Sequence, residues 1–273
     1  MELPLQHLLI AVIGGFVAGC INTLAGNGSA ITLGILTEVI GLSGNTANGT
    51  NRLGVLAQGA SSTWVFKREG KLQIKPNRLL VGSVFAGALI GVWAATQISN
   101  EQFRLVYKVL MVCMLFVVLV KPKRWLNPTG SDPAAASPSP VSPAPLAWWI
   151  TVPVYLAIGF YGGFIQMGMG ILFLAALVLV SRMPIIEGNA VKSFAVFLYT
   201  IAVLAVFAVS GRINWEAAAA LAGGQLVGGW LTAEFASRYK KADVWAYWIL
   251  VVMVVIILIK LFVPATLYGK LLP

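Results

Sequence analysis

Residues 19–32 read Gly19-Cys20-Ile21-Asn22-Thr23-Leu24-Ala25-Gly26-Asn27-Gly28-Ser29-Ala30-Ile31-Thr32. One apolar run enters this stretch, stops at a Gly-Asn-Gly break, and a second apolar run starts directly behind it. Glycine is a poor helix residue, so Gly26 and Gly28 interrupt the helix at a depth where apolar sequence continues on both sides. A break inside lipid leaves backbone groups unpaired, and it is tolerated only where it faces protein or a water-filled cavity. The arrangement returns 142 positions later, where Met167-Gly168-Met169-Gly170 ends one apolar run and opens another. A break used twice at a fixed spacing points to a duplicated membrane protein.

Working outward, the register holds. Ala47-Asn48-Gly49-Thr50-Asn51 lies over Asn189-Ala190-Val191-Lys192-Ser193 at the same offset. At an offset of 141, Gly70-Lys71-Leu72 matches Gly211-Arg212-Ile213, and Gly82 and Gly87 match Gly223 and Gly228. Five apolar segments fit each half, at 8–25, 28–41, 46–66, 79–98 and 103–120, then at 147–167, 170–181, 189–209, 216–235 and 244–263. The second of each half is short for a crossing of about 20 residues. It is either a steep short span or the return limb of a re-entrant hairpin. Between the halves, 127–145 reads NPTGSDPAAASPSPVSPAP and holds six of the 13 prolines, which cannot pack a core and reads as a linker. The expected organisation is a first transmembrane repeat over 1–126, the Pro/Ser/Ala-rich linker over 127–145, and a second repeat over 146–273.

Composition agrees with this layout. The 273 residues are 59% hydrophobic and 10% charged, against about 25% charged in soluble domains, and the mean hydropathy is +0.86. Ten segments leave no room for an extramembrane catalytic or nucleic-acid-binding domain. The fold class expected is an all-α polytopic membrane protein of two inverted repeats with glycine-broken or re-entrant helices. Inversion follows from parity, since each half crosses an odd number of times.

The net charge of +10 then acquires an address. Placing Lys67, Arg68, Lys71, Lys75, Arg78 and the linker in the cytoplasm also puts Lys121, Lys123, Arg124, Arg182, Arg238, Lys240 and Lys241 there. That makes twelve loop cations inside, with Arg104, Arg212 and Lys270 outside, as the positive-inside rule requires. Both termini come out non-cytoplasmic. Trp148, Trp149, Trp215, Trp245 and Trp248 fall near segment ends as interfacial anchors.

Candidate functional residues are the polar groups inside apolar runs. The break exposes backbone N–H groups at a helix N-terminus, which suits an anion, and Asn22, Asn27 and Ser29 add side-chain donors around Gly28. The alternative is that these glycines only allow close helix packing. Asn48, Asn51, Arg52, Gln58 and Ser62 recur at spacings of 3, 4 and 7, one helical face. Asn189, Lys192, Ser193 and Thr200 form the matching stripe. A polar stripe in a membrane helix faces the bundle interior or water. Arg52 offers an anion a planar fork and Lys192 a point charge; the alternative for both is snorkelling to the interface.

Carboxylates are few. Glu38, Glu187 and Glu234 are either proton carriers or structural ions, Glu187 pairing with Arg182 or Lys192 and Glu234 with Arg238. Cys20 and Cys113 lie in apolar segments and read as buried thiols. With one histidine, His7, and two separated cysteines, no metal-ligand set assembles, and no cofactor is expected. No phosphate-binding Gly-x-x-x-x-Gly-Lys-Ser/Thr loop, His-Glu-x-x-His or Gly-x-Ser-x-Gly motif is present, so the chain is not expected to be an enzyme and has no catalytic residues.

The run from Gly19 to Thr32 resembles the N-terminal signature of the TauE/SafE sulfite exporter-like transporters, which usually carries Asp where this chain has Asn22. Ala47-Asn48-Gly49-Thr50-Asn51-Arg52 is similar to that family's Ala-x-x-Thr-Asn segment, and the resemblance extends over essentially the whole chain. It implies transport of small anions, above all sulfite and sulfonates such as sulfoacetate, in the inner membrane and often outward.

The reading that results is a secondary exporter of a small sulfur-containing anion, working by alternating access around a midplane site. Asn22, Asn27, Gly28, Ser29, Asn48, Thr50, Asn51 and Arg52 would bind from one repeat, and Met167, Met169, Lys192 and Ser193 from the other. An uptake permease or channel for similar anions is the alternative, and a non-transporting scaffold a third reading. The expected partners are the anion and the lipid bilayer, with no nucleic acid; self-association into a homo-oligomer is left open.

Overall fold

The computed structural model describes residues 3–99, 101–102 and 147–239, together with Ala242, Val244, Trp245 and Trp248. The 127–145 linker, most of the fifth segment of each half, Cys113 and the cations between Arg104 and Arg124 and from Lys240 onward lie outside the described residues.

Among the described residues every regular element is a helix. In the first half α1 spans Leu5–Leu24, α2 Ser29–Gly34, α3 Gly44–Arg68 and α4 Arg78–Gln97. In the second, α5 spans Trp148–Phe164, α6 Met169–Ala175, α7 Ile185–Val209 and α8 Trp215–Arg238. Both short helices finish in a π-helical turn, Ile35–Val39 and Ala176–Val180. Helices α3 and α7 each run 25 residues, roughly 37 Å at 1.5 Å per residue. Ser43 starts α3 by accepting the Thr46 N–H, and Asn214 starts α8 by accepting the Ala217 N–H. Among the described residues, three helices, Leu5–Leu24, Lys75–Gln97 and Ile185–Val209, are long and apolar enough to cross a membrane.

Each short second helix packs back against the helix before it, a geometry common to both readings of these segments. Helix α2 runs back along α1: Gly28 abuts the Ala18 carbonyl, and Gly14 lies under the Ile35 side chain. Helix α6 doubles back on α5 likewise, with Gly162 over Met169 and the Tyr155 ring 5.9 Å from that of Phe173. The two hairpins enter from opposite ends of the molecule. At the first end the Leu3 N–H donates to Glu216, the Asn214 N–H to Thr50, and Arg212 to the Ala95 and Thr96 carbonyls. At the second, the end of the α6 hairpin shares a core with Val65, Phe66 and Ala236, beside an ion cluster of Arg68, Glu69, Glu234 and Arg238.

The halves are sewn together by small residues. Gly15 and Gly19 on α1 abut the carbonyls of Leu221 and Gln225 on α8, and Gly224 and Gly228 answer against Val12 and Phe16. Between α4 and α5, Gly87 and Gly91 meet the Leu156 and Phe160 carbonyls, and Gly159 and Gly163 meet those of Val84 and Ala88. A Cβ at most of these positions would overlap backbone, the close approach on which helix packing in lipid depends. The first helix of each half thus pairs with the fourth helix of the other. Trp148, Trp149 and Trp215 open their helices more than half exposed, and Trp245 and Trp248 are equally exposed.

Candidate functional site

The two glycine breaks meet at the centre. Gly26 adopts φ +87° and Gly168 φ +75°, left-handed conformations natural to glycine. A Cβ on Gly26 would stand 2.2 Å from the Gly170 carbonyl carbon, and one on Gly170 2.4 Å from the Gly26 oxygen. Between the second hairpin's limbs, Gln166 holds φ +62° despite its side chain. Strain of this kind, costing about 1–3 kcal/mol, collects at functional sites.

Each break ends a helix whose last carbonyls have no intrahelical donor, and lipid offers none. The other half supplies one. From α3, Asn48 Nδ2 donates to the Phe164 carbonyl at 3.0 Å, and Arg52 donates to the carbonyls of Gly162 at 2.7 Å and Gly163 at 3.0 Å. From α7, Asn189 Nδ2 donates to the Leu24 carbonyl at 3.1 Å, and Lys192 Nζ donates to Asn22 at 3.0 Å and Thr23 at 3.3 Å. Each cation also donates to the asparagine on its own helix, Arg52 to Asn48 Oδ1 and Lys192 to Asn189 Oδ1. Arg52 further donates to Gln166 Oε1 and lies 5.6 Å from the centre of the Phe207 ring.

Neither cation snorkels: Arg52 is 0% exposed and Lys192 3%. Both rest on the negative end of a helix dipole. No carboxylate among the described residues lies within 4 Å of either. The sequence register laid Lys192 over Thr50. The structure instead makes Lys192 the counterpart of Arg52, because those two reach the equivalent carbonyls.

Beside the breaks lies a cavity of about 20 Å³, lined by Asn22, Gln58, Gln166, Met169, Lys192 and Ser193, with Gly26, Gly170 and Val196 completing the wall. It has room for about one water. The hydroxyl of Ser193, 2% exposed, has no hydrogen-bond partner. Four of the expected site residues, Asn22, Met169, Lys192 and Ser193, therefore share this cavity. Gln58 was part of the polar stripe but not of the expected binding set. Gln166 carries no motif; its one signal was a polar residue two positions before a glycine break.

The remaining expected residues do not line the cavity, and Thr50 lies towards the end of the molecule where Asn214 starts α8. Gly28 donates its N–H to Asn22 Oδ1 at 2.9 Å, so the start of α2 is partly filled by the protein's own amide. Ser29 Oγ accepts from Asn22 Nδ2 at 3.4 Å. Asn27 is fully buried with both amide atoms unpartnered. Thr50 anchors Asn214, and Asn51 Oδ1 accepts from Thr32 at 2.6 Å and Gln225 at 3.4 Å. Asn48 and Arg52 cap α5, and the Met167 carbonyl accepts from the Tyr161 hydroxyl.

The carboxylates sit elsewhere. Glu234 pairs with Arg238 at 2.8 Å, as one reading of the sequence had it, and with Arg68 besides. Glu187 is within 4 Å of neither Arg182 nor Lys192; Lys192 is drawn instead to the α1 carbonyls. Glu69 accepts from Arg238 at 3.0 Å, which holds its carboxyl below the ordinary value of 4.5, with Arg68 adding to the effect. Cys20 is free and faces the Gly228 carbonyl.

Comparisons with known proteins agree with the architecture. A family model described as sulfite exporter TauE/SafE matches residues 11–261. The chain is 25% identical to a probable membrane transporter protein, ORF9, of Sinorhizobium sp., over 88% of this chain and 86% of that one. It is 24% identical to the probable membrane transporter protein YunE of Bacillus subtilis, over 93% and 96%, and 25% identical to a probable membrane transporter protein of Haemophilus influenzae, over 88% and 89%. No solved structure matches. With broken helices, buried cations and a family match running nearly end to end, this chain belongs to the TauE/SafE sulfite exporter family and is a membrane transporter.

Proposed function

We propose that the chain is a secondary transporter that exports a small sulfur-containing anion, sulfite or an organosulfonate such as sulfoacetate, across the inner membrane. The observation that carries the sign of the charge is the pair of buried cations, Arg52 and Lys192, with no described carboxylate within 4 Å. Two positive charges held on neutral carbonyls favour an anion beside them, and burial raises the strength of that attraction well above its value in water. The family description supplies the sulfur chemistry.

The anion enters the cavity at the two breaks, with Lys192 nearest and Ser193, Gln58 and Gln166 as neutral donors. Asn22, Asn27 and Ser29 frame it from the first hairpin, while Arg52 and Asn48 fix the second. A cavity of about 20 Å³ admits no sulfonate until the helices move, which favours a carrier over an open channel. The reciprocal pairing of α1 with α8 and α4 with α5 supports two inverted repeats that rock against one another. The end bearing Arg68 and Arg238 is the cytoplasmic one, and the termini lie on the far side.

The test is flux of labelled sulfite and sulfoacetate in proteoliposomes of purified protein, with protein-free vesicles as control. Saturable, trans-stimulated flux is expected. Absence of any saturable anion flux would overturn the reading, and saturation without trans-stimulation would favour a channel.

A further inference from the structure

The matched positions Arg52 and Lys192 do the same structural work with different chemistry. A guanidinium keeps its proton throughout the range in which proteins stay folded, whereas a lysine amine can lose one. The two also differ in place, since Lys192 lines the cavity and Arg52 does not. Of all the side chains on the cavity wall, Lys192 alone titrates.

Among the described residues, none of its hydrogen-bond partners is an acid or a base. Helix α1 offers it the Asn22 and Thr23 carbonyls and carries Cys20, which faces Gly228. From α3 comes Arg52, turned towards α5. Helix α5 carries Tyr155 and Tyr161, bonded to Ser181 and to the Met167 carbonyl, and α4 carries only the exposed Arg78. On α7 itself, Tyr199 donates to Gln166, and Glu187 stands more than a turn away with no ion pair to Lys192.

We propose that Lys192 is the proton carrier of the transport cycle, loading one H⁺ together with one anion. The proposal rests on the transport reading above. An anion crossing a low-dielectric interior without a counter-charge is expensive. A lysine that is protonated when the anion is bound and neutral when it is gone removes that cost from both the loaded and the empty carrier.

The hydrogen bonds follow the proton. An ammonium has three N–H donors, and Lys192 Nζ faces three acceptors, Asn22 O, Thr23 O and Asn189 Oδ1. After the anion leaves on the open side, one N–H bond breaks heterolytically and its proton passes to water. The amine retains the electron pair and two N–H donors. One acceptor then loses its donor, and two of the three belong to the broken end of α1, so the charge of Lys192 is tied to the geometry of the break. Reloading reverses the step from the other side. Net direction is set by the sum of the anion and proton gradients.

The test measures protons moved per anion moved in proteoliposomes, using labelled sulfoacetate, whose acid groups both stay ionised near neutral pH, with an internal pH dye. Wild type is expected to move one proton per anion and to accumulate anion when the outside is made acid. Lys192→Arg, which keeps a cation but not a titratable one, is expected to carry anion more slowly at a ratio near zero. A wild-type ratio of zero with clear anion flux, or an unchanged ratio in Lys192→Arg, overturns the proposal and leaves the transport reading standing. No saturable anion flux in wild type overturns both. Should Lys192→Arg carry nothing, anion binding to the purified proteins decides. Wild-type affinity is expected to fall about tenfold per pH unit on the alkaline side while Lys192→Arg stays flat; a flat wild type overturns the proposal.

Discussion

Arg52 and Lys192 each hold the broken helix of the half to which they do not belong. Arg52 on α3 donates to the Gly162 and Gly163 carbonyls that end α5, and Lys192 on α7 donates to the Asn22 and Thr23 carbonyls that end α1. Each break is completed by donors from the other half. The site is therefore a property of the two halves together, and a change at one cation is felt at the opposite hairpin.

Replacing Arg52 by lysine keeps the charge but removes the fork. Arg52 serves Gly162, Gly163, Gln166 and Asn48 from two terminal nitrogens, a pattern no single ammonium reproduces. Interhelical bonds in membranes are worth about 0.6–1.7 kcal/mol each, so Arg52→Lys should lose on the order of 2 kcal/mol. Thermal unfolding in detergent checks this, and a melting point equal to wild type would count against the cap.

Asn22→Asp adds a carboxylate to the cavity wall that holds Lys192. An aspartate can still accept the Gly28 N–H, as Asn22 Oδ1 does at 2.9 Å, so the α2 cap survives. Its charge offsets that of the ammonium and repels any incoming anion. The expected outcome is anion affinity weaker by on the order of tenfold, about 1.4 kcal/mol, read as a raised KM for flux. An unchanged KM would place the anion away from Asn22.

Gly26→Ala should fail to give a well-folded transporter. The new methyl would stand 2.2 Å from the backbone of Gly170, at a φ of +87° that disfavours side chains. Neither backbone can retreat, because each ends a hairpin packed on its own half. The check is size-exclusion behaviour of the purified variant, which should aggregate or be lost where wild type elutes as one species.

The ion cluster that joins α3 to α8 sets a pH dependence of stability. The Glu69 carboxyl is held below 4.5 chiefly by the hydrogen bond from Arg238. A group whose pKa is depressed on folding contributes stability that is present above its unfolded pKa and lost as pH falls through the folded one. The difference in melting point between wild type and Glu69→Gln should be full at neutral pH and vanish as pH drops below 4.5. The cluster is partly exposed, so the difference should also shrink in about 1 M salt.

Arg182 offers a complementary check on backbone strain. It holds φ +55° where the first half has Gly41 at φ +79°. Arg182→Gly removes a left-handed side-chain conformation costing about 1–2 kcal/mol, offset by the greater freedom of glycine in the unfolded chain. A small rise in melting point is expected, and a fall would mean that the side chain has a stabilising partner.

The Gly26-Asn27-Gly28 and Gly168-Met169-Gly170 breaks, the polar stripes and the single-sign loop clusters were all legible in the chain, because each is a local departure from apolar periodicity. They gave the all-helical membrane fold, the four described helices of each half to within a few residues, and the two buried cations. What local pattern could not carry was partnership. That α2 returns along α1 depends on Gly28 meeting the Ala18 carbonyl and Gly14 meeting Ile35, contacts between limbs that no periodicity encodes.

The sequence by itself determined that polar groups lie within the membrane-spanning segments and that they cluster at two matched breaks, since apolar length and glycine position are properties of single segments. Only the tertiary structure decided which of them line a cavity and which cap a helix. That Asn48 and Arg52 hold the carbonyls of α5, and that the turn at φ +62° brings Gln166 to the cavity, follows from no pattern along the chain. The reason is physical: an unpaired carbonyl at a broken helix end takes the nearest buried donor, and which donor is nearest depends on how the two halves dock.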